Sequence, residues 1–383
     1  MKRFFALLLC LVLTVGLVAC GGTEQTPSNT EPSSVDSESS VGTDSATQTD
    51  SEGSDSSSTD EKPAVQLYDP NMEHKVIMDD SGTRILIADL NLCGEDPEDI
   101  VIEDCIIWEW DSADAKGAQV QGKDLRIDES NLRYSSYWKK DVVIFSGSGG
   151  WVGIIDYETK EVLFEHKPGY GPHSVELLPN GDLVVACSGN SSTSDGRVLH
   201  YPLSEGKTTP GSNVPLKSAH GVCWDPTNEI IWVLGGDEII GCTVKDGKIT
   251  KVGGMGASLK AIGESSGHDM VPVYGQPGKY YVSGGSCIML FDANEGTISK
   301  SFQRSASYNG KSVKGIAWFA DGTMITTAHD QGGTGTYRSS QLRFMYLGYS
   351  TGKVKQVTVK KIMIPHREGS QTYKIHTLSK DYQ

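Results

Sequence analysis

Three histidines recur at matching positions in similar stretches of the sequence. His173, His220 and His268 each open a line that reads as a strand, a tight turn and a second strand ending in small residues. Lys314 opens a fourth such line, and Arg133 opens an earlier, weaker one. Imidazole binds divalent transition metals and serves as a general base, while lysine and arginine bind anions. If the fold brings these positions together, they form a metal site or an anion-binding site.

The spacing of these lines indicates how the fold could bring them together. The starts at 133, 173, 220, 268 and 314 are separated by 40, 47, 48 and 46 residues. Short apolar runs alternate with Gly, Asn and Asp turns, and no long window has helical periodicity, which predicts an all-β chain. A repeat of this length matches a four-stranded propeller blade. A β-sandwich with similar hairpins is the alternative, but sandwiches lack this repeat length.

Both ends of the chain contribute to one further blade. The runs "RILIADL" and "DCIIWEW", between residues 84 and 110, read as second and third strands that lack a first strand. The last strand, "TYKIHTLS" at 372–379, begins like the others and has nothing after it. Pairing the two ends closes a ring of six blades and removes exposed sheet edges. Seven blades are the alternative, if 60–83 and 341–361 hold extra strands.

The first strand of each propeller blade lines the central axis. We therefore expect the residues that open the repeats to meet at one mouth of the channel: His173, His220, His268, Lys314 and Arg133, with Lys374 or His376 completing the circle. Two long insertions, 188–197 and 328–340, follow second strands and fall on the same face. Binding surfaces often form in this way, with loops over a rigid scaffold.

Two kinds of chemistry suit such a mouth. The three neutral imidazoles could hold a divalent metal ion, with positions left open for water or substrate. Alternatively, the same side chains with Lys314 and Arg133 could bind a carboxylate or sulfate, with a histidine or Tyr134 as the base. Propeller lyases that act on acidic polysaccharides resemble both descriptions. Glu176 and Asp269 are one apiece and not a spaced pair, so we expect them to link strands or orient ligands.

Four of the repeat lines carry a family resemblance. The motifs "HSVELLPNG", "HGVCWD", "GHDMVP" and "VKGIAW" follow one another in this order. Over roughly residues 84–379 the chain resembles a family of bacterial six-bladed, WD40-like propellers of unknown function. The resemblance implies the fold and brings no activity with it.

The N-terminus predicts where the protein works. Lys2 and Arg3 precede the apolar run 4–19, which is short for a membrane span and typical of a signal peptide. The stretch "LVAC" at 17–20 resembles the lipobox of bacterial lipoproteins, which implies that Cys20 becomes the lipidated first residue. A plain signal peptide cleaved elsewhere is the alternative. We expect a lipid-anchored protein on the extracytoplasmic face of the cell membrane.

Composition divides the rest of the chain in two. Residues 21–62 hold ten acidic residues against one lysine and almost nothing apolar, which predicts a disordered, extended linker. We therefore expect a signal peptide at 1–20, the linker at 21–62 and the propeller at 63–383. The propeller carries −8 of the formal charge of −15, which argues against a nucleic-acid partner.

The cysteines leave their pairing open. Six lie beyond residue 20, and none forms a CxxC pair, which argues against a cysteine zinc site. An extracytoplasmic setting permits disulfides, and Cys93 and Cys105 are the closest pair in sequence, but spacing alone does not give connectivity.

Three functions stay open at this point. The first is an enzyme, a lyase or hydrolase that acts on an anionic glycan with the histidines as base or metal ligands. The second is a binding protein that holds the same kind of ligand without cleaving it. The third is an adhesin or scaffold, in which each histidine ties an inner strand to its neighbour as in WD-type repeats.

Overall fold

Six four-stranded antiparallel sheets make up the described part of the chain. The structure is a computed structural model, and it describes residues 74–92, 102–189, 195–302, 312–319, 322–329, 337–350, 353–363, 371–380 and 382. The chain divides into two units, Met1–Lys62 and Pro63–Gln383, and every described residue belongs to the second. The predicted signal peptide, Cys20 and the predicted linker lie outside the described residues. No helix among the described residues is long and apolar enough to cross a membrane.

The strands follow the same order in every blade, from the innermost to the outermost. The first blade consists of β24 (Ile375–Thr377), β1 (Lys75–Asp80), β2 (Arg84–Asp89) and β3 (Ile106–Asp111). The second consists of β4 (Ile127–Ser135), β5 (Lys140–Gly147), β6 (Trp151–Asp156) and β7 (Val162–His166). The third consists of β8 (Pro172–Leu177), β9 (Leu183–Cys187), β10 (Arg197–Tyr201) and β11 (Ser212–Pro215).

The remaining three blades repeat this arrangement. The fourth consists of β12 (Gly221–Asp225), β13 (Ile230–Leu234), β14 (Glu238–Lys245) and β15 (Lys248–Ser258). The fifth consists of β16 (Met270–Pro272), β17 (Lys279–Ser283), β18 (Ile288–Asp292) and β19 (Thr297–Phe302). The sixth consists of β20 (Val313–Trp318), β21 (Thr323–Ala328), β22 (Gln341–Ser350) and β23 (Lys353–Met363). Short 3-10 helices in the connections are Leu90–Leu92, Ile102–Cys105, Ser112–Asp114, Leu203–Glu205 and Lys260–Ile262.

The innermost strands contact one another in a closed circle. Strand β4 contacts β8, β8 contacts β12, and the series runs through β16, β20 and β24 back to β4. Strand β24 from the C-terminus pairs with β1, with Ile77 opposite His376. The six-bladed ring closed by the C-terminal strand, as predicted from the sequence, is therefore confirmed.

The predicted positions of two strands in the first blade were wrong. The run "RILIADL" is the third strand of its blade, because β1, with the sequence "KVIMDD", is the second strand and pairs with both β24 and β2. The run "IIWEWD" is then the fourth strand. The seven-bladed alternative is also wrong, because strands β22 and β23 complete the sixth blade instead of starting another.

The middle strands are buried on both faces because each blade packs against two neighbours. Strands β9 and β13 have every residue buried. Val184 and Ala186 of β9 pack in one cluster with Ile231 and Val233 of β13. A strand covered on both sides is a short continuous apolar run without polar alternation, which is the pattern that the sequence shows.

The turn between β8 and β9 shows how the hairpins are fixed locally. Gly181 has a φ of 92°, and a Cβ at this position would lie 2.5 Å from Cβ of Tyr137. Oδ1 of Asn180 accepts a hydrogen bond from the backbone N of Asp182 at 3.1 Å. The Asn-Gly pair therefore gives a left-handed turn that no larger residue fits.

Asp182 continues from this turn into a buried polar network. Its Oδ2 lies 3.0 Å from Nε2 of His200, and its Oδ1 accepts hydrogen bonds from the N and Oγ of Ser204 at 2.9 and 2.7 Å. Burial alone would raise the pKa of Asp182, but the hydrogen bonds from His200 and Ser204 outweigh it and lower the pKa to about 2. His200 is thus a structural histidine of the kind that holds a blade together.

We expect the free energy of unfolding to fall as the pH drops from 3.8 towards 2. A carboxyl group with a lowered pKa in the folded state contributes stability that is present above its ordinary pKa of 3.8 and is lost below it. Asp182→Asn should remove this part of the pH dependence in urea unfolding titrations, whereas the exposed Asp246→Asn should retain it. Identical pH profiles for the two variants would contradict this assignment.

The described cysteines fall into two groups. Cys105 is disulfide-bonded. The cysteine nearest to it in sequence is Cys93, which lies outside the described residues. Cys187, Cys223, Cys242 and Cys287 are free and buried, and burial raises the pKa of each thiol, that of Cys287 to about 11. These four thiols are inert packing groups.

Candidate ligand-binding site

Four of the predicted residues lie side by side at one end of the channel. The rings of His173 and His220 stack with their centroids 4.5 Å apart, and the rings of His220 and His268 meet edge to face at 5.1 Å. Nζ of Lys314 lies 2.7 Å from Nε2 of His268. Residues that the sequence separates by whole blades therefore form one continuous row.

An irregularity at the start of the inner strands positions these side chains. Three inner strands each contain one residue that is skipped in the pairing with the second strand of the blade. This residue is Asp128 in β4, His173 in β8 and Lys314 in β20. His220 and His268 come just before β12 and β16, and each donates its backbone N–H to the second strand of its own blade. A bulge re-aims the side chain of the extra residue. Bulged residues therefore supply the row in the blades of β4, β8 and β20, and residues shortly before the inner strand supply it in the blades of β12 and β16.

The residue that follows Asp128, His173 or His268 links one blade to the next through a hydrogen bond. Three such bonds run from a backbone N of the following inner strand to a side-chain oxygen: Val175 to Glu129 at 3.2 Å, Val222 to Ser174 at 3.0 Å, and Ile316 to Asp269 at 2.9 Å. Asp269 is therefore a strand-linking group, as expected. Because these side chains hold the inner strands together, the bulged residues are left to face the mouth.

Arg133 and Tyr134 do not belong to this row, and their predicted place was wrong. Arg133 lies deeper in the channel, where its Nε and Nη2 donate to the two oxygens of Glu176 at 2.7 and 3.0 Å. Tyr134 is 54% exposed. The residue equivalent to His173 is Asp128, because β4 begins at Ile127 and not near the aligned arginine.

Lys374 is also displaced from the row, by one residue. It is buried just below the mouth, where its Nζ donates to Glu129 Oε2 at 2.6 Å and to the carbonyl oxygen of His220 at 2.7 Å, and lies 3.3 Å from Asp269 Oδ1. Its neighbour Tyr373 occupies the place at the mouth, with its ring centroid 6.1 Å from that of His173. Lys374 therefore holds the inner strands together instead of meeting a ligand.

The row forms the floor of a cavity of about 1000 Å³. Besides the four predicted residues, its lining includes side chains that sequence reasoning missed: Arg126, Asp128, His329, Tyr337, Arg338 and Tyr373. His329, Tyr337 and Arg338 belong to the insertion 328–340, which was expected on this face. The sequence thus indicated the loop without indicating which of its residues reach the cavity.

Arg338 and Lys314 differ in how their charges are balanced. Arg338 is paired with the carboxylates of Asp79 and Asp128, and its Nη2 also donates to the carbonyl oxygen of Ile127 at 2.8 Å. The hydrogen bond of Lys314 Nζ among the described residues is to an imidazole nitrogen. Its Nζ also lies 5.8 and 5.9 Å from the ring centroids of Tyr337 and Tyr373. Burial lowers the pKa of Lys314 to about 8, with a further contribution from the charge of Lys374 and against the carboxylate of Asp128.

Two histidines of the row, His220 and His268, are held in the neutral form. Burial, followed by the neighbouring imidazoles for His220 and by Lys314 for His268, lowers the pKa of both well below the ordinary value. Nδ1 of His220 lies 2.8 Å from the carbonyl oxygen of Ser218, so it carries the proton and Nε2 is left as an acceptor. Nδ1 of His173 lies 2.9 Å from Asp128 Oδ2, within ion-pair distance but without hydrogen-bond geometry.

The potential metal ligands come together elsewhere. Within the described parts of the chain, the group whose ligand atoms all lie within 4.8 Å of one another is Glu129, Asp269 and His376. The ammonium of Lys374 already contacts both of these carboxylates, so this cluster does not call for a cation. Among the described residues, His173, His220 and His268 do not form such a group. A metal bound by these three histidines stays a prediction.

The fold and the site define a β-propeller with a cavity of about 1000 Å³ at one mouth of its central channel. The chain belongs to a family of unknown function, DUF6528, which matches residues 47–331. The resemblance to a propeller family of unknown function, inferred from the repeat motifs, is therefore confirmed. No curated protein matches the chain in sequence.

Several solved structures are similar to the chain at low sequence identity. The β-propeller domain of Cps50 (Swd1) from Myceliophteria thermophila is 11% identical, with a TM-score of 0.48 over 80% of this chain and 93% of that one. A functionally unknown protein from Desulfotomaculum acetoxidans is 12% identical, with a TM-score of 0.46 over 76% and 99%. The WD40 repeats of RRP9 are 8% identical, with a TM-score of 0.45 over 76% and 78%. At these TM-scores the similarities carry no argument of their own.

Proposed function

We propose that the propeller binds an anionic carbohydrate, or a ligand of similar chemistry, in the cavity at its mouth. The observation that carries the proposal is the position of Lys314, a buried cation that lines the cavity and contacts an imidazole rather than a carboxylate. An ammonium in such a place lacks a full counter-charge. A carboxylate or sulfate of a ligand supplies one through a charge-assisted hydrogen bond.

The rest of the lining supports a sugar as the carrier of that charge. A volume of about 1000 Å³ is large enough for several sugar rings. The exposed ring of Tyr337 offers a flat apolar face beside polar groups, and a sugar ring, which has both apolar and polar faces, can stack on it. The cationic side chains of the lining, Arg126, Lys314 and Arg338, outnumber the single carboxylate of Asp128, although the chain as a whole has a formal charge of −15.

We also propose that the protein displays this cavity outside the cytoplasmic membrane. The apolar run 4–19 and the lipobox-like "LVAC" support a lipid anchor on Cys20, and the acidic residues 21–62 support an extended spacer. Radiolabelled palmitate incorporated by the intact chain and lost in Cys20→Ala tests the anchor.

Lys314→Met should weaken binding of an anionic glycan by roughly 10- to 100-fold, because a hydrogen bond to a charged group contributes about 1.5–3 kcal/mol. Isothermal titration calorimetry with the methyl glycoside of tri-galacturonate measures the effect. Lys207→Met is the matched control, since Lys207 is 61% exposed and pairs with Glu205 outside the mouth. Equal affinities for both variants and the wild-type chain would contradict the proposal.

Cleavage of the glycan is a second candidate function, favoured by the 2.7 Å contact between Lys314 and His268. A lysine whose pKa is lowered to about 8 beside a neutral imidazole can accept the proton that a lyase removes from a uronate. Absorbance of unsaturated products from a uronate polymer tests this activity, and metal analysis with and without His220→Ala tests the metal-dependent form.

The scaffold alternative has its own test. If His173→Ala and His268→Ala lower only the melting temperature, the result supports a structural role for these histidines.

A further inference from the structure

We propose that Lys314 is a carbonyl-reactive amine, which forms an imine with an aldehyde or ketone group of a ligand in the mouth cavity. The proposal deepens the proposed function and rests on it, because it assigns a reactive group to the ligand that the same cavity holds. The ligand class is an anionic carbonyl compound, such as a 2-oxo acid or the open-chain form of an acidic sugar.

The geometry gives Lys314 the surroundings that a reactive lysine needs. Lys314 is 4% exposed and lines the cavity, with its Nζ near the rings of Tyr337 and Tyr373 and 2.7 Å from Nε2 of His268. The nearest carboxylate of the row, Asp128, is engaged by Arg338. Burial and the nearby charge of Lys374 both favour the neutral amine of Lys314, which is the form that attacks a carbonyl carbon.

The other described lysines with buried amines or close partners lack this combination. Lys374 is held between Glu129 and Asp269, which outweigh the effect of burial and raise its pKa, so that its amine stays protonated. Lys140 and Lys300 are exposed, and the hydrogen bonds that they donate to Asp156 and Glu264 raise the pKa of each. Lys314 is hydrogen-bonded to a proton acceptor instead.

The reaction balances with groups that are present. The lone pair of Nζ attacks the carbonyl carbon, the C–N bond forms, and the carbonyl oxygen becomes the hydroxyl of a carbinolamine. Nε2 of His268 carries both amine protons to that oxygen, the first to form the hydroxyl and the second to release it as water when the C–O bond breaks. The product is a C=N bond between ligand and lysine, and no oxidant or reductant takes part.

Reductive trapping on the full chain tests the proposal. Pyruvate with cyanoborohydride converts the imine to a stable secondary amine, which peptide mass spectrometry locates. We expect Lys314 to be labelled at least ~10-fold more than the exposed Lys207 and Lys260 at pH near 8, because an ordinary lysine amine has a pKa of about 10.4 and is mostly protonated there. Labelling in the mouth should disappear in Lys314→Arg and persist in Lys207→Arg, with near-ultraviolet circular dichroism reporting that both variants fold.

The methyl glycoside of tri-galacturonate, which has no free carbonyl, separates this proposal from the proposed function. If this glycoside blocks the labelling of Lys314, the result supports both the imine and glycan binding. Equal labelling of Lys314 and the exposed lysines, or none at Lys314, overturns the imine even if the glycoside binds. Preferential labelling of Lys314 in a chain that does not bind the glycoside supports the imine and overturns glycan binding.

Discussion

Removing residues 372–383 is expected to abolish the cooperative thermal transition of the propeller. The deleted segment contains β24, the inner strand of the first blade, which pairs with β1 and contacts β20 and β4. The deletion leaves the edge of β1 unpaired and opens the ring. It also removes Ile375 and Leu378 from two of the buried clusters between blades. Calorimetry of the truncated chain measures the loss.

A truncation at the other end is the matched control for this experiment. Removing residues 1–62 takes away more of the chain but none of the described strands, so the transition should keep its midpoint. A truncated chain without residues 372–383 that still melts cooperatively at the wild-type temperature would show that the C-terminal strand does not close the ring.

Lys374→Met is expected to reduce the free energy of unfolding by about 3–5 kcal/mol, because breaking a buried ion pair leaves uncompensated charge. Lys374 is 2% exposed and its ammonium contacts Glu129, Asp269 and a backbone carbonyl oxygen. Removing it leaves two carboxylates facing each other in the channel. Urea unfolding at neutral pH measures the change.

The same substitution at an exposed ion pair provides the comparison. Lys380 pairs with Asp141, and its side chain is 42% exposed, so Lys380→Met should cost no more than about 1 kcal/mol. Glu129→Gln added to Lys374→Met should recover part of the lost stability, since it removes one of the unpaired charges. An equal small cost for Lys374→Met and Lys380→Met would mean that the channel charges are solvated.

The fold was readable from the sequence because its information is local and repeated. Each blade needs short apolar runs and tight turns, and the lines that begin at His173, His220, His268 and Lys314 show them at one spacing. Strand β1 was missed because "KVIMDD" is a short run with acidic residues, and Asp79 and Asp80 are buried only because Arg338 and Arg84 bind them. These partners could not be found from the run itself, because Arg338 lies far from Asp79 along the chain and Arg84 lies across a turn from Asp80.

The site was predicted in part, for the same reason. The repeat register located the three histidines and Lys314, but the bulge that shifts Asp128 into the row is a feature of strand pairing and leaves no mark in composition. Arg133 looked equivalent because it opens a line that resembles the later repeats, whereas its side chain pairs with Glu176 from the next blade. Tyr337 and Arg338 line the cavity, and Arg338 binds Asp79 and Asp128, which lie far away along the chain.

Residues from separate blades are expected to form one ligand-binding cavity at the mouth of the channel. A crystal structure of the chain with the methyl glycoside of tri-galacturonate is the most direct test. His173, His220, His268 and Lys314 should line one pocket, with a carboxylate of the glycan within hydrogen-bond distance of Lys314 Nζ. A glycan bound at the rim of the blades, or a mouth in which these four side chains do not meet, would show that the blades do not form such a cavity.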